Sequence, residues 1–234
     1  MNIFDTGVMN FVNQLSQHSL IFDNLVVFLA GNKLVKGGVL VAVLWWGWFE
    51  SKERCTHNRI HIVATLVSCI VSMTLARALA LTLPFRFRPF HEEGLTFLLP
   101  YGMKPILEGW SSFPSDHATL FFALSTGLLF ISRKAGIFAL SFTLIFIALP
   151  RIYLGLHYPT DIIAGAIIGM TVTLLGNAYL IKSVSFQSIT NGLLSRPRVF
   201  YPLFFLITYQ IADLFDSGRE ITNALLRLLK YVLA

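Results

Sequence analysis

Residues 113–132 read FPSDHATLFFALSTGLLFIS, a short polar segment that leads directly into a long apolar one. The apolar part, 118–131, has the length and composition of a buried or membrane-embedded helix. The segment 113–117 places the Ser115 hydroxyl, a carboxylate and an imidazole just before the predicted helix start. Free backbone N–H groups and the positive end of a helix dipole favour anions there. This stretch therefore predicts a phosphate-binding loop at the end of an apolar helix.

The composition of the whole chain is typical of a membrane protein. Its 234 residues are 55% hydrophobic and only 13% charged, whereas soluble domains average about 25% charged residues. Because apolar runs recur along the whole length, we expect one all-α, membrane-embedded domain spanning residues 1–234. The net charge of +6 is attributed to loop residues, since no nucleic-acid-binding motif accompanies it.

Six apolar runs are predicted to cross the membrane as a helical bundle. Gly165 and Gly169, four residues apart in one of them, favour close helix packing. Segments 4–15 and 221–232 have apolar residues at helical spacing, which predicts N- and C-terminal amphipathic helices at the membrane interface. The predicted spans are 34–49, 60–83, 118–132, 135–149, 162–181 and 199–212.

Basic loop residues determine the expected orientation. With six crossings, the long loop 84–113 and the turn 151–161 share one face, and the polar loops 51–59, 133–134 and 182–198 share the other. The positive-inside rule makes the face with more basic loop residues cytoplasmic. We therefore expect the polar segments to face the outside of a bacterial-type inner membrane. The eight basic residues on the cytoplasmic face are Lys52, Arg54, Arg59, Arg133, Lys134, Lys182, Arg196 and Arg198.

Polar segments on the outer face carry side chains suited to phosphoryl transfer. His157 and Asp161 are four residues apart, so the carboxylate can fix the ring tautomer and leave the other nitrogen as a nucleophile. The planar guanidinium groups of Arg88 and Arg151 can each make two hydrogen bonds to phosphate oxygens, and His117 can donate a proton. These groups predict transfer through a covalent phosphohistidine.

The same residues resemble the three motifs of the type 2 phosphatidic acid phosphatase superfamily of integral membrane lipid phosphatases. The family patterns are Lys-x6-Arg-Pro, Pro-Ser-Gly-His and Ser-Arg-x5-His-x3-Asp. Their counterparts here are Arg88-Pro89, residues 114–117, and Arg151-x5-His157-x3-Asp161. The resemblance covers most of the chain and implies six helices. It further implies that His157 is the nucleophile, that Asp161 is its carboxylate partner and that His117 is the general acid. The phosphate-binding groups that it implies are Arg88, Arg151, Ser115 and the backbone amides of Asp116 and His117.

Three positions depart from the family pattern. Pro150 replaces a serine, a change expected to matter little. Asp116 replaces a glycine, as in the undecaprenyl-diphosphate phosphatases that this variant resembles. Its side chain is expected to point away from the phosphate or to orient a cation. Leu81 stands where the family has a phosphate-binding lysine.

A cation from elsewhere is therefore expected to replace the missing lysine. Arg77 is the first candidate, because it lies one helical turn before Leu81 on the same face. Arg86 and Lys104 are alternatives.

Simpler interpretations of these residues exist. His157 and Asp161 also suit a structural pair at a helix start, and Arg86 suits an interfacial arginine. A metal site is another interpretation, with His117, His157, Asp116 and Asp161 as ligands. The arginines that converge on the same place would repel a divalent cation.

We predict a lipid phosphatase that needs no metal or other cofactor and removes the terminal phosphate of a polyprenyl diphosphate or phospholipid phosphate. One alternative is a phosphotransferase that moves the phosphoryl group from undecaprenyl diphosphate to another lipid such as lipid A. Another is a non-catalytic lipid-binding or lipid-translocating relative, which Leu81 alone supports. The expected partners are the lipid substrate and the bilayer.

Overall fold

The computed structural model describes residues 2–50, 55–92, 96–104 and 110–233. Within these ranges the chain forms ten helices and no strand, which confirms the all-α prediction. In chain order they are α1 (Ile3–Asn13), α2 (Leu20–Gly31), α3 (Leu34–Phe49), α4 (Cys55–Thr82), α5 (Asp116–Leu128), α6 (Arg133–Tyr153), α7 (Pro159–Leu180), α8 (Val184–Leu194), α9 (Pro197–Ala212) and α10 (Asp216–Leu233).

Three of the described helices, α4, α6 and α7, are long and apolar enough to cross a membrane. The number rises to five if two bent pairs each form one span: α2 with α3, bent by 66°, and α9 with the start of α10, bent by 98°. The membrane bundle is thus confirmed, but not the count of six. Helix α5, predicted as a span, has 13 residues. It is about 20 Å long, too short alone for a hydrocarbon layer of about 30 Å.

Helix α5 forms the centre of the bundle. Every residue from Ala118 to Leu128 is buried, and α4, α6 and α7 pack around it. One of its hydroxyl groups finds a partner on a neighbouring helix, since Ser125 Oγ lies 2.9 Å from Thr143 Oγ1 of α6. The apolar run that follows the predicted phosphate-binding loop is therefore a core helix, which fixes the position of that loop.

Two glycines allow α7 to lie directly against α5. A Cβ atom at Gly169 would stand 2.2 Å from the carbonyl oxygen of Thr119, and one at Gly165 would stand 2.6 Å from that of Ser115. Small residues at such a contact let two helix backbones touch, so the predicted close packing is confirmed. The beginnings of α5 and α7 consequently lie side by side.

The segment 182–198, predicted as a polar loop, contains helix α8 instead. The Ser183 hydroxyl caps this helix by accepting the Phe186 N–H at 3.3 Å. Ile189 and Leu193 lie four residues apart on it and stay exposed. A serine cap and apolar residues at helical spacing therefore outweigh the polar composition of this segment. Helices α1 and α10 form where amphipathic helices were predicted.

Candidate active site

A cavity of about 600 Å³ opens where the loop after α4, the starts of α5 and α10, and the ends of α2 and α6 meet. Six of the nine predicted site residues line it: Arg77, Arg88, Asp116, His117, Arg151 and His157. The structure thus brings all three sequence motifs to one place. The other three lie beside the cavity, where Ser115 and Arg86 both donate hydrogen bonds to Asp161.

Ser115 joins the second motif to the third. Its backbone N–H donates to the carbonyl oxygen of Asp161 at 3.1 Å, which links the start of α5 to the start of α7. Its hydroxyl accepts the N–H of Ala118 at 3.4 Å and so caps α5. The side chain is fully buried. Ser115 therefore shapes the loop, while the sequence predicted that its hydroxyl would hold substrate oxygens.

The ring of His157 is oriented by Ser112, a residue that the sequence did not single out. The His157 Nδ1 donates to the backbone carbonyl of Ser112 at 2.8 Å. On the other side of the ring, Arg88 Nη1 lies 3.5 Å from Nε2. A guanidinium can only donate, so Nε2 presents a lone pair. Burial is the main cause that lowers the pKa of His157, and the charge of Arg88 acts in the same direction.

Asp161 reaches His157 through Ser112. The distance from Asp161 Oδ2 to His157 Nδ1 is 3.8 Å, too long for a hydrogen bond. The Ser112 hydroxyl instead donates to Asp161 Oδ2 at 2.5 Å, and the Tyr158 N–H donates to the same oxygen at 2.8 Å. The spacing of the motif correctly predicts that Asp161 lies near His157. The serine between them comes from a loop 45 residues earlier in the chain, so the spacing within the motif could not predict it.

Arg86 binds carboxylates rather than projecting into the cavity. Its Nη1 donates to Asp161 Oδ1 at 2.5 Å and its Nη2 to Asp5 Oδ2 at 2.6 Å. Asp5, on α1, is fully buried and also accepts the Thr160 N–H at 3.0 Å. The guanidinium lies over the ring of Tyr158, 4.1 Å from its centroid. This network ties the N-terminal helix to the carboxylate that supports His157.

Arg88 and Arg151 are the two arginines deepest in the site. Both are buried and both line the cavity. Arg88 Nη1 donates to the carbonyl oxygen of Leu156 at 2.7 Å. The Nε–H group of each is buried and has no hydrogen-bond partner among the described residues. Buried unpartnered donors cost about 1–3 kcal/mol, and phosphate oxygens would satisfy them.

His117 lies beside Arg151. Arg151 Nη2 is 2.5 Å from His117 Nε2 and 3.3 Å from the carbonyl oxygen of Ala30. Because the guanidinium is the donor, Nε2 of His117 accepts in this arrangement. The imidazole predicted as the acid therefore carries a lone pair here, and a bound anion would have to change that contact before it could donate.

Arg77 forms an ion pair with Asp116, from its Nη2 to Oδ2. Its guanidinium also lies over the ring of Trp110, 4.8 Å from the centroid. The side chain of Asp116 is thus neutralised by a cation. Leu81, the position of the missing lysine, is 81% exposed. Lys104 is exposed and is not among the residues that line the cavity.

Lys36 is a cavity cation that the sequence did not assign to the site. It lies in the π-helical turn Leu34–Gly38 at the start of α3 and is buried. The available signal was a lysine within an apolar run, since ionisable residues in such runs are costly unless they are used. The described residues contain no group of three or more histidine, cysteine, aspartate or glutamate side chains arranged to hold a metal ion.

The fold and the site define a membrane-embedded enzyme that acts on a phosphate group. The PAP2 superfamily model matches residues 59–184, more than half of the chain, so the chain belongs to that superfamily. No solved structure shows a significant match.

Curated relatives agree with this assignment. The chain is 27% identical over 164 residues to the Bacillus subtilis protein named undecaprenyl-diphosphatase BcrC, covering 70% of this chain and 78% of that protein. It is 32% identical over 148 residues to the Escherichia coli protein named putative undecaprenyl-diphosphatase YbjG, covering 63% and 68%. It is 33% identical over 117 residues to a Bacteroides thetaiotaomicron lipid A 4'-phosphatase, covering 47% and 49%. The chain is a phosphatase.

Proposed function

We propose that this lipid phosphatase hydrolyses the terminal phosphate of a polyprenyl diphosphate, through a phosphohistidine on His157 and without a metal ion. The observation that carries the proposal is the orientation of His157. Its Nδ1 donates to the Ser112 carbonyl, and the lone pair of its Nε2 faces Arg88 in the cavity. A neutral imidazole held in this tautomer is an activated nucleophile.

In the first step, the Nε2 lone pair of His157 forms a bond to the terminal phosphorus. The bond from that phosphorus to the bridging oxygen breaks, and protonated His117 gives its proton to this oxygen. Arg88 and Arg151 stabilise the charge on the equatorial oxygens. In the second step, the oxygen of a water molecule forms a bond to the phosphorus while His117 takes a proton from that water. The bond from phosphorus to Nε2 breaks, which returns the lone pair to His157 and releases inorganic phosphate.

The contact between Arg151 and His117 is compatible with this acid role. A phosphate bound at Arg151 would accept the N–H that Arg151 now directs at His117. The negative charge of the phosphate would also favour the protonated form of His117. Substrate binding would therefore generate the acid that the first step consumes.

The choice of substrate rests on the relatives and on Asp116. Two of the relatives carry names that specify undecaprenyl diphosphate as the substrate, and the Asp116 variant resembles such enzymes. Lipid A phosphate is the next candidate, since another relative is named for it. We place the chain in a bacterial-type inner membrane with the cavity on the outer side, as the basic loop residues favour.

Phosphate release by the purified, detergent-solubilised protein tests this function. Undecaprenyl diphosphate, its monophosphate, phosphatidate and lipid A would be compared in EDTA, with and without a lipid acceptor. We expect fastest release from the diphosphate, unaffected by EDTA and abolished in His157→Ala. Transfer of the phosphate to the lipid acceptor would indicate a phosphotransferase. Loss in EDTA that added metal restores would refute the metal-free mechanism.

A further inference from the structure

The cations of the cavity fall into two groups. Rim cations are each paired with a carboxylate: Lys33 with Asp213, Arg77 with Asp116, and Arg219 with Asp216. The inner cations Lys36, Arg88 and Arg151 have no carboxylate within 4 Å in the described parts of the chain. The interior of the cavity therefore holds three basic side chains without an acidic partner within that distance.

The position of Lys36 is fixed by the fold. Its π-helical turn packs against the end of α9, where a Cβ atom at Gly37 would stand 2.1 Å from the carbonyl oxygen of Ala212. The end of α2 is joined to the site by the hydrogen bond from Arg151 to Ala30. A π-helical turn within an α-helix is often found at a functional site, and here it holds an ammonium in the cavity.

Lys36 lies on the side of the cavity that contains His117. Arg151 Nη2 contacts both His117 Nε2 and the carbonyl oxygen of Ala30 at the end of α2, and Lys36 follows Ala30 by six residues. The other histidine, His157, contacts Arg88. An anion bound between the histidines would therefore meet Lys36 at its end nearer His117.

When all three of these basic groups are protonated, their charge exceeds what one phosphate monoester neutralises. Such a group carries about −1.5 to −2 near neutral pH, and a second phosphate adds about one more negative charge. Burying three cations around one cavity without counter-ions is costly. A diphosphate matches their charge, whereas a monophosphate leaves one cation uncompensated.

We infer that the Lys36 ammonium binds the leaving phosphate of a diphosphate, the one that stays on the lipid, and so makes the site select diphosphates over monophosphates. The inference rests on the proposed function, in which Arg88 and Arg151 hold the transferred phosphate. Because His117 protonates the leaving oxygen, a cation beside it stabilises the charge that develops on that side.

Substrate selectivity of Lys36→Met tests the inference, with Lys104→Met as the matched control because Lys104 is an exposed lysine outside the cavity. The kcat/KM for undecaprenyl diphosphate should fall about 100-fold, while that for undecaprenyl monophosphate stays within about twofold. Lys36→Arg should recover most of the loss, and Lys104→Met should match the wild type on both lipids.

An equal loss on both lipids, or no loss on either, would overturn the inference. A wild-type protein that releases phosphate from neither lipid would instead contradict the proposed function. A second measurement needs no variant: a methylene diphosphonate should inhibit the wild type at about tenfold lower concentration than inorganic phosphate. Equal inhibition by the two anions would also overturn the role of Lys36.

Discussion

The Ser112 hydroxyl donates to Asp161 Oδ2 at 2.5 Å, and the carbonyl of Ser112 accepts from the His157 ring at 2.8 Å. Replacing Ser112 with Ala keeps the carbonyl contact and removes the bridge to the carboxylate. A hydrogen bond to a charged group contributes about 1.5–3 kcal/mol. We expect kcat to fall at least about tenfold with KM nearly unchanged, measured as phosphate release.

Ser72→Ala is the control for this change. Ser72 is equally buried, and its hydroxyl donates to the Ser68 carbonyl of its own helix. It should retain wild-type kcat. An equal loss of kcat in Ser72→Ala and Ser112→Ala would show that removing any buried serine hydroxyl lowers kcat, and that the hydrogen bond from Ser112 to Asp161 has no specific role.

Arg86 neutralises two carboxylates that are themselves fully buried, Asp5 and Asp161. Arg86→Met should lower the free energy of unfolding by about 3 kcal/mol, since it leaves buried charges without their partner. Adding Asp5→Asn should restore part of this loss. Thermal unfolding in detergent measures both. If Arg86 binds substrate phosphate instead, Arg86→Met should raise KM while leaving the unfolding temperature unchanged.

Arg77 neutralises Asp116 at the cavity wall. Arg77→Ala exposes the phosphate to the Asp116 carboxylate, and we expect kcat/KM to fall on the order of 10²-fold. The double variant Arg77→Ala with Asp116→Asn removes both charges and should recover most of the activity. A double variant as slow as Arg77→Ala would mean that Arg77 itself contacts the phosphate, as the sequence predicted.

The pH dependence of kcat/KM reports on His157. Since burial and Arg88 lower its pKa, the ring stays neutral below the usual histidine value of about 6.5. The wild type should keep its rate as the pH falls through that value and lose it only at lower pH. Arg88→Gln removes one cause of the shift, so its acid limb should move to higher pH, whereas Arg88→Lys should not move it.

The substrate provides the internal control for this experiment. Its own ionisation is identical in all three proteins, so a difference in the position of the acid limb belongs to the enzyme. Superimposable acid limbs for wild type and Arg88→Gln would show that His157 is not the group that titrates.

The apolar pattern predicted the helical membrane bundle, and Gly165 and Gly169 predicted a close helix contact whose partner, α5, comes from the structure. Hydropathy identifies apolar helices, and Gly165 and Gly169 mark a close contact by their spacing alone. Hydropathy did not show that α5 has 13 residues and is buried by its neighbours, and the crossing predicted at 118–132 is not confirmed.

The motif residues were also identifiable from the sequence, and six of the nine predicted site residues line one cavity. Ser112, Asp5 and Lys36 were not, because their roles arise from contacts between segments far apart in the chain. Asp5 reaches Arg86 across 81 residues, for example. Nothing in the local sequence distinguishes Ser112 or Asp5 from an ordinary polar residue, and the one local signal for Lys36, a lysine within an apolar run, did not assign it to the site.

Covalent labelling of His157 tests the central claim most directly. The protein would be mixed with undecaprenyl diphosphate labelled in the terminal phosphate, quenched with alkali within a turnover and digested for mass spectrometry. We predict phosphate on the His157 imidazole in the wild type, and neither label nor turnover in His157→Ala. Undiminished phosphate release by His157→Ala, or label on another residue, would contradict the account.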